Sequence, residues 1–144
     1  MPISIEEAKT KLKQYQYLKR RANFVKLKVD ELRRTSMNAN GTVFDSEGGS
    51  PLRDAKGSLE KQMEELLDLE LKWTQMLVEA EKKALEIQEE IDRIKPFGLV
   101  YSDVLSYRYI SCYKLHTIAD IMNYDERQII RISKKAVKIY AENI

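Results

Sequence analysis

One cysteine, Cys112, and one histidine, His116, are all that 144 residues offer of the side chains that favour zinc binding and nucleophilic chemistry. A zinc finger needs about four nitrogen or sulfur ligands, so that class is excluded. A lone cysteine forms no intrachain disulfide and suits a reducing compartment. Glycine and proline are scarce, with 5 and 3 residues, too few for the turns of a sandwich or barrel. No apolar run approaches the ~20 residues that span a bilayer. The first residues, Met1-Pro2-Ile3-Ser4-Ile5-Glu6-Glu7, are acidic where a signal peptide would be basic. No P-loop, GxGxxG or HExxH pattern occurs, and no nucleophile–base pair stands out. These absences lead to an expectation of a non-enzymatic, cytoplasmic protein without cofactor or metal and away from membranes.

What is abundant is charge, at 33% of residues, above the roughly 25% of ordinary soluble domains. It is arranged in blocks. Residues 1–36 hold 10 Lys+Arg against 4 Asp+Glu, residues 37–96 hold 8 against 14, and residues 97–144 hold 7 against 5. Such blocks suit long solvated helices whose faces differ in sign.

Apolar residues first recur at Ile5, Ala8, Leu12, Tyr15, Leu18, Ala22, Val25, Val29 and Leu32. Steps of three and four describe one face of a helix. Ser4 followed by Glu7 is a capping box for its start, and nothing interrupts the pattern before about Thr35. Residues 37–57 lack periodicity, and residues 36–58 hold four of the five glycines, so a disordered connection is expected there. Beyond it runs a heptad seam: Leu59, Met63, Leu66, Glu70, Trp73, Leu77, Ala80, Ala84, Ile87, Ile91 and Ile94. Sustained alternation of four and three marks a coiled-coil stripe, with Glu70 a polar interruption that sets register or partner number, and Pro96 closes the helix. A basic helix and an acidic helix joined by a connection form an antiparallel hairpin over residues 1–96. Two helices bury little on their own, so a third surface is expected to cover the seam, either the C-terminal module or a second copy of the hairpin in a homo-oligomer.

Residues 97–144 break into three shorter helical patterns. The first spans about Leu99 to Cys112 with Val100, Val104, Leu105 and Tyr109 inward; Cys112 is expected to be half-buried. The second spans Leu115 to Met122 with Leu115, Ile118, Ala119 and Met122 on one face. The third runs from Asp125 to about Ala141 with Ile129, Ile132, Ala136 and Ile139 or Tyr140 inward. Asn123-Tyr124-Asp125 leaves about three residues between the last two. Asn tolerates the left-handed conformation that ends a helix, and Asp is a good N-cap. A short turn of this kind makes a helix-turn-helix.

The outer face of the third helix carries Arg127, Gln128, Ile130, Arg131, Lys134, Lys135 and Lys138. Arg matches guanine, Gln matches adenine and an apolar side chain meets the thymine methyl. Arg127, Gln128, Ile130 and Arg131 are therefore the expected base readers. Lys134, Lys135 and Lys138 are expected on phosphates, which supply affinity without sequence information. Lys114, His116 and Thr117, at the start of the second helix, are assigned to phosphates as well, an ordinary surface histidine being the plainer reading of His116. The architecture is thus an all-α chain, a long antiparallel helical hairpin followed by a three-helix helix-turn-helix module.

The segments Tyr101–Ile110, Leu115–Tyr124 and Arg127–Val137 together resemble region 4 of bacterial sigma-70-type factors. The resemblance rests on Val104-Leu105 with Arg108-Tyr109-Ile110, on Ile118-Ala119, and on the basic helix ending in Lys134-Lys135-Ala136-Val137. Asn123 stands where those modules usually carry Gly, and Thr117 where they often carry Glu. The whole chain resembles small phage and prophage proteins of the RinA/ArpU type. That resemblance implies a regulator of phage late or packaging genes acting on double-stranded DNA in the cytoplasm of a bacterial host, with host RNA polymerase as a further partner. The competing expectation is a non-catalytic helical adaptor whose sigma-like module binds RNA polymerase or another protein.

Overall fold

The computed structural model describes the backbone of residues 2–45 and 51–144 and the side chains of residues 2–35 and 58–144. Among the described residues the fold is all-α. Six helices follow one another: α1 (Ile5–Leu12), α2 (Gln14–Asp45), α3 (Pro51–Asp92), α4 (Leu99–Leu105), α5 (Leu115–Met122) and α6 (Glu126–Glu142). A 3-10 turn at Lys95–Phe97 precedes α4, and a π-helical turn at Ser106–Ile110 follows it. No described helix is long and apolar enough to cross a membrane.

Ser4 caps α1 as its spacing to Glu7 predicts, its Oγ accepting the Glu7 amide at 3.1 Å. The long first helix is divided at Lys13, whose ψ of −7° opens one peptide between α1 and α2, although Tyr17 N–H still donates to Lys13 O. Helix α2 reaches Asp45 and α3 begins at Pro51. Much of the connection expected over 37–57 is therefore helical, because extending a helix adds one hydrogen bond per residue once it is nucleated. Pro51 occupies the first-turn position where its missing N–H costs nothing. The rest of that expectation, at residues 46–50, lies outside the described residues.

Two compact units are formed, one by Met1–Leu18 with Glu79–Ile144, the other by Lys19–Val78. The first unit runs across residue 96, where sequence reasoning places a domain boundary. The cause is one shared core. Ala8, Leu12 and Tyr15 from the start of the chain, Ala80, Ala84, Ile87, Ile91 and Ile94 from α3, and Leu105, Tyr109, Ala136, Val137 and Tyr140 from the C-terminal segment are all buried together. Polar ties follow the same assembly. Ile3 N–H donates to Ala141 O at 3.0 Å, the Tyr140 hydroxyl donates to Glu90, and Lys11 lies 3.8 Å from Glu90. Tyr15 donates to Glu81 at 3.4 Å. As the numbers rise from 11 to 15 their partners fall from 90 to 81, so these two stretches run antiparallel. Burial and the Glu90 carboxylate together push the Tyr140 phenol well above its ordinary range.

In the second unit the same descending order holds. Lys26 Nζ sits over the Trp73 ring at 5.8 Å, and Arg33 donates twice to Glu70 Oε1, at 2.7 and 3.0 Å. Glu70, the polar break in the heptad, is thus held by a cation of the facing helix. Of the described side chains here only Ala22, Val25, Val29 and Leu66 are buried apolar residues.

Candidate nucleic-acid interface

The elements α4, α5 and α6 are joined by short connections whose chemistry is local. Gly98, at φ 144°, adopts a backbone closed to other residues and starts α4; a Cβ there would stand 3.0 Å from the Tyr101 ring. The π-helical turn presents the Arg108 carbonyl to Gln16 Nε2, which donates to it at 2.9 Å. Arg108 itself donates to the buried Ser133 Oγ of α6 at 2.6 Å. Cys112 follows in the left-handed region at φ 62°. Its side chain is exposed rather than half-buried as its position in an apolar helix pattern suggests, because the helix has ended and the reversed backbone turns the residue outward.

Helix α5 ends on Asn123, at φ 58° and ψ 43°, and Tyr124 N–H closes the turn on Ala119 O at 3.0 Å. Asn adopts this conformation more readily than most residues because its short amide is compatible with it. Asp125 then caps α6 from an extended backbone. Beneath the turn Val104, Ile118, Ala119 and Ile129 are buried, with Tyr107, Leu115, Met122 and Ile132 packed against them. This small core holds α5 and α6 at a fixed angle and turns the other face of α6 outward.

Arg127, Gln128, Arg131, Lys134, Lys135 and Lys138 are all exposed on that face, and Ile130 is half-buried. Two of them are engaged. The Gln128 side-chain carbonyl accepts the Asp125 amide at 3.2 Å and completes a capping box. That bond orients the amide toward the cap, leaving its NH2 and the second lone pair of its oxygen for other partners. Lys135 lies over the Tyr101 ring at 5.4 Å. The cap was legible as Asp125 followed three residues later by Gln; the Tyr101 contact, between separate helices, was not. None of the five cations of α6 makes an ion pair among the described residues, whereas Lys11, Arg33, Lys83 and Lys95 do elsewhere. At the start of α5, Lys114 occupies the N-cap and is exposed, as is His116, while Thr117 is half-buried.

The hairpin residues divide. Ile87, Ile91, Ile94 and Leu66 are buried, and Leu59, Trp73 and Leu77 are half-buried. Met63 is 45% exposed. Among the described residues no cluster of His, Cys, Asp and Glu is arranged to hold a metal ion. Comparison with protein-family models, with characterised proteins and with solved structures gives no match.

Proposed function

We propose that the chain is a sequence-specific DNA-binding regulator of transcription, in which α5 and α6 act as a helix-turn-helix. The observation that carries this reading is the outer face of α6: five cations without an ion-pair partner among the described residues, on a helix presented by a tight left-handed turn. In helix-turn-helix docking the first residues of the second helix meet base edges. With the Gln128 amide oriented toward the cap, direct reading falls mainly to Arg127 and Arg131, with Ile130 at the rim. Lys134, Lys135 and Lys138, further along, meet phosphates, together with Lys114, His116 and Thr117 at the start of α5. The resemblance to RinA/ArpU-type regulators extends the proposal to phage late or packaging genes in a bacterial cytoplasm. Self-association would use the part of the hairpin seam left incompletely covered, Leu59, Met63, Trp73 and Leu77, since Ile87, Ile91 and Ile94 are enclosed in the first unit's own core.

The test is selection of bound duplexes from a random pool with the full chain, followed by two variants. Arg131→Ala is expected to lose roughly 1–3 kcal/mol on the selected site and little on random DNA. Lys138→Ala is expected to weaken every duplex alike and to reduce the salt slope by about one. Equal losses on specific and random DNA from both variants would count against base reading. A second reading, a helical adaptor for RNA polymerase or another protein, draws on the exposed Ile121 and Tyr124 at the α5 turn and Tyr113 ahead of α5. It takes the lead if no duplex is bound.

A further inference from the structure

The cations of α6 do not stand on an open helix. Arg131, Lys134, Lys135 and Lys138 line one wall of an open groove of about 620 Å³, and Ile5, in the first turn of α1, lines it with them. Both walls belong to the first compact unit. The acidic residues of that first turn, Glu6 and Glu7, line a separate groove with Ile3, Thr10 and Lys11. What α1 offers to the basic groove is therefore an apolar side chain, 46% exposed, and no carboxylate. Among the described residues the single acid at the groove is Glu142, near the end of α6. Arg131, assigned above to base reading, stands at the front of the groove. Behind it Lys134 or Lys135 and then Lys138 recur at about one helical turn, or ~5 Å of rise, so successive lysines can meet successive phosphates of one strand.

We propose that this α1–α6 groove is a channel for one strand of a DNA backbone, and that the first turn of α1 forms its second wall. The proposal rests on the regulator reading above and adds to it a part of the chain far from the helix-turn-helix in sequence. The apolar wall sets no carboxylate against the phosphates, so the field of the lysines stands unopposed on that side. Occupancy is expected to be independent of base sequence.

The test uses the full-length chain and a random-sequence 20-bp duplex, with binding measured by fluorescence anisotropy across a salt series. Ile5→Glu places a carboxylate among the lysines. It is expected to lower the salt slope by about one and to weaken binding roughly three- to tenfold. Ile5→Lys and Glu142→Gln are expected to do the reverse, with tighter binding and a steeper slope. A gain of affinity cannot come from misfolding, so these two variants guard against a trivial loss in the first. Ile5→Ala should bind within about twofold of the parent, since it alters no charge. If Ile5→Glu, Ile5→Lys and Glu142→Gln all bind like the parent while Lys138→Ala weakens binding, α6 acts alone and the channel is overturned. Single-stranded DNA bound as tightly as duplex, with the same response to these changes, overturns it too. If the parent binds no duplex even at low salt, the regulator reading itself falls.

Discussion

The heptad of α3 passes through both compact units, yet it does different work in each. In the first unit Ala80, Ala84, Ile87, Ile91 and Ile94 are all buried. In the second, among the described seam positions, Leu66 alone is buried, Met63 is largely exposed, and Leu67 and Leu71 beside the seam are 61% and 60% exposed. Trp73 Nε1 and Gln62 Oε1 are shielded from solvent yet have no hydrogen-bond partner among the described residues. The stripe has the same period throughout. What changes is the number of layers: in the first unit α3 packs into one core with α1, α4 and α6, and in the second its described contacts are with α2. A heptad fixes the direction in which a helix faces its partners. How much surface leaves water depends on how many partners there are.

The largest test of this contrast is excision. Removing residues 19–78 and joining Leu18 to Glu79 with a short flexible linker should leave a cooperatively unfolding domain, because Tyr15 and Glu81 already meet at 3.4 Å. Residues 97–144 alone should stay largely unfolded, having lost Leu12, Ile87, Ile91 and Ile94 from their core. Circular dichroism with thermal melting separates the outcomes; a sharp transition in the 97–144 fragment would break the comparison.

Point substitutions sharpen it. Ile91→Ala is expected to cost about 2–5 kcal/mol by denaturant titration, as buried large-to-small changes do. Leu67→Ala, at an exposed position, should stay within about 0.5 kcal/mol in dilute solution. Comparable losses would mean that the second unit is as well packed as the first.

Next in size is a response to alkali. Burial raises the Tyr109 phenol against the opposing Arg108 charge, and burial with Glu90 raises Tyr140. In the unfolded chain both titrate near the ordinary value of about 10. Above that pH the unfolded state releases protons that the folded state retains, so stability is full below about pH 10 and falls as pH rises further, by up to about 1.4 kcal/mol per unit for each group. Tyr140→Phe should flatten that decline while lowering stability at neutral pH by about 1 kcal/mol, from the lost bond to Glu90. A stability curve equally steep in parent and variant above pH 10 would exclude Tyr140 as a source.

The smallest effect is expected at the turn. Asn123→Gly relieves the left-handed backbone and should stabilise by a few tenths of a kcal/mol, whereas Asn123→Ala should cost about 1 kcal/mol. Thermal midpoints that move the other way would show that the Asn side chain supplies more than its backbone tolerance.

Features that were legible in the sequence are those decided within a few residues. The Ser4 cap, the α5 bounds, the Asn123–Asp125 turn and the inward sets of α5 and α6 all follow from local spacing and backbone chemistry. Glu70 was legible as a polar interruption of the seam, whereas its partner Arg33 on the facing helix was not. What sequence could not provide are contacts between distant segments. Nothing local tells Ile3 that it will meet Ala141, or Ile5 that it will share a groove with Lys138. The C-terminal module is one candidate for the third surface on the hairpin, but the boundary at residue 96 hides that Ala8, Leu12 and Tyr15 share its core. The exposed position of Cys112 was missed for a different reason: the apolar pattern hides the π-helical turn that ends just before it.

The first unit is assembled from two segments separated by residues 19–78, and this governs how it can form. Helix α1 is synthesised more than a hundred residues ahead of α6, so at ~5–20 residues per second it waits several seconds for that partner. Bringing Leu18 to Glu79 across the intervening segment costs roughly 4 kcal/mol of loop-closure entropy beyond a constant. Early antiparallel pairing of α2 with α3 removes most of that penalty, because it carries the two ends of the segment together. The sparsely buried second unit then acts as a folding guide, and weakening it should slow the appearance of the first unit's core far more than it lowers that core's final stability.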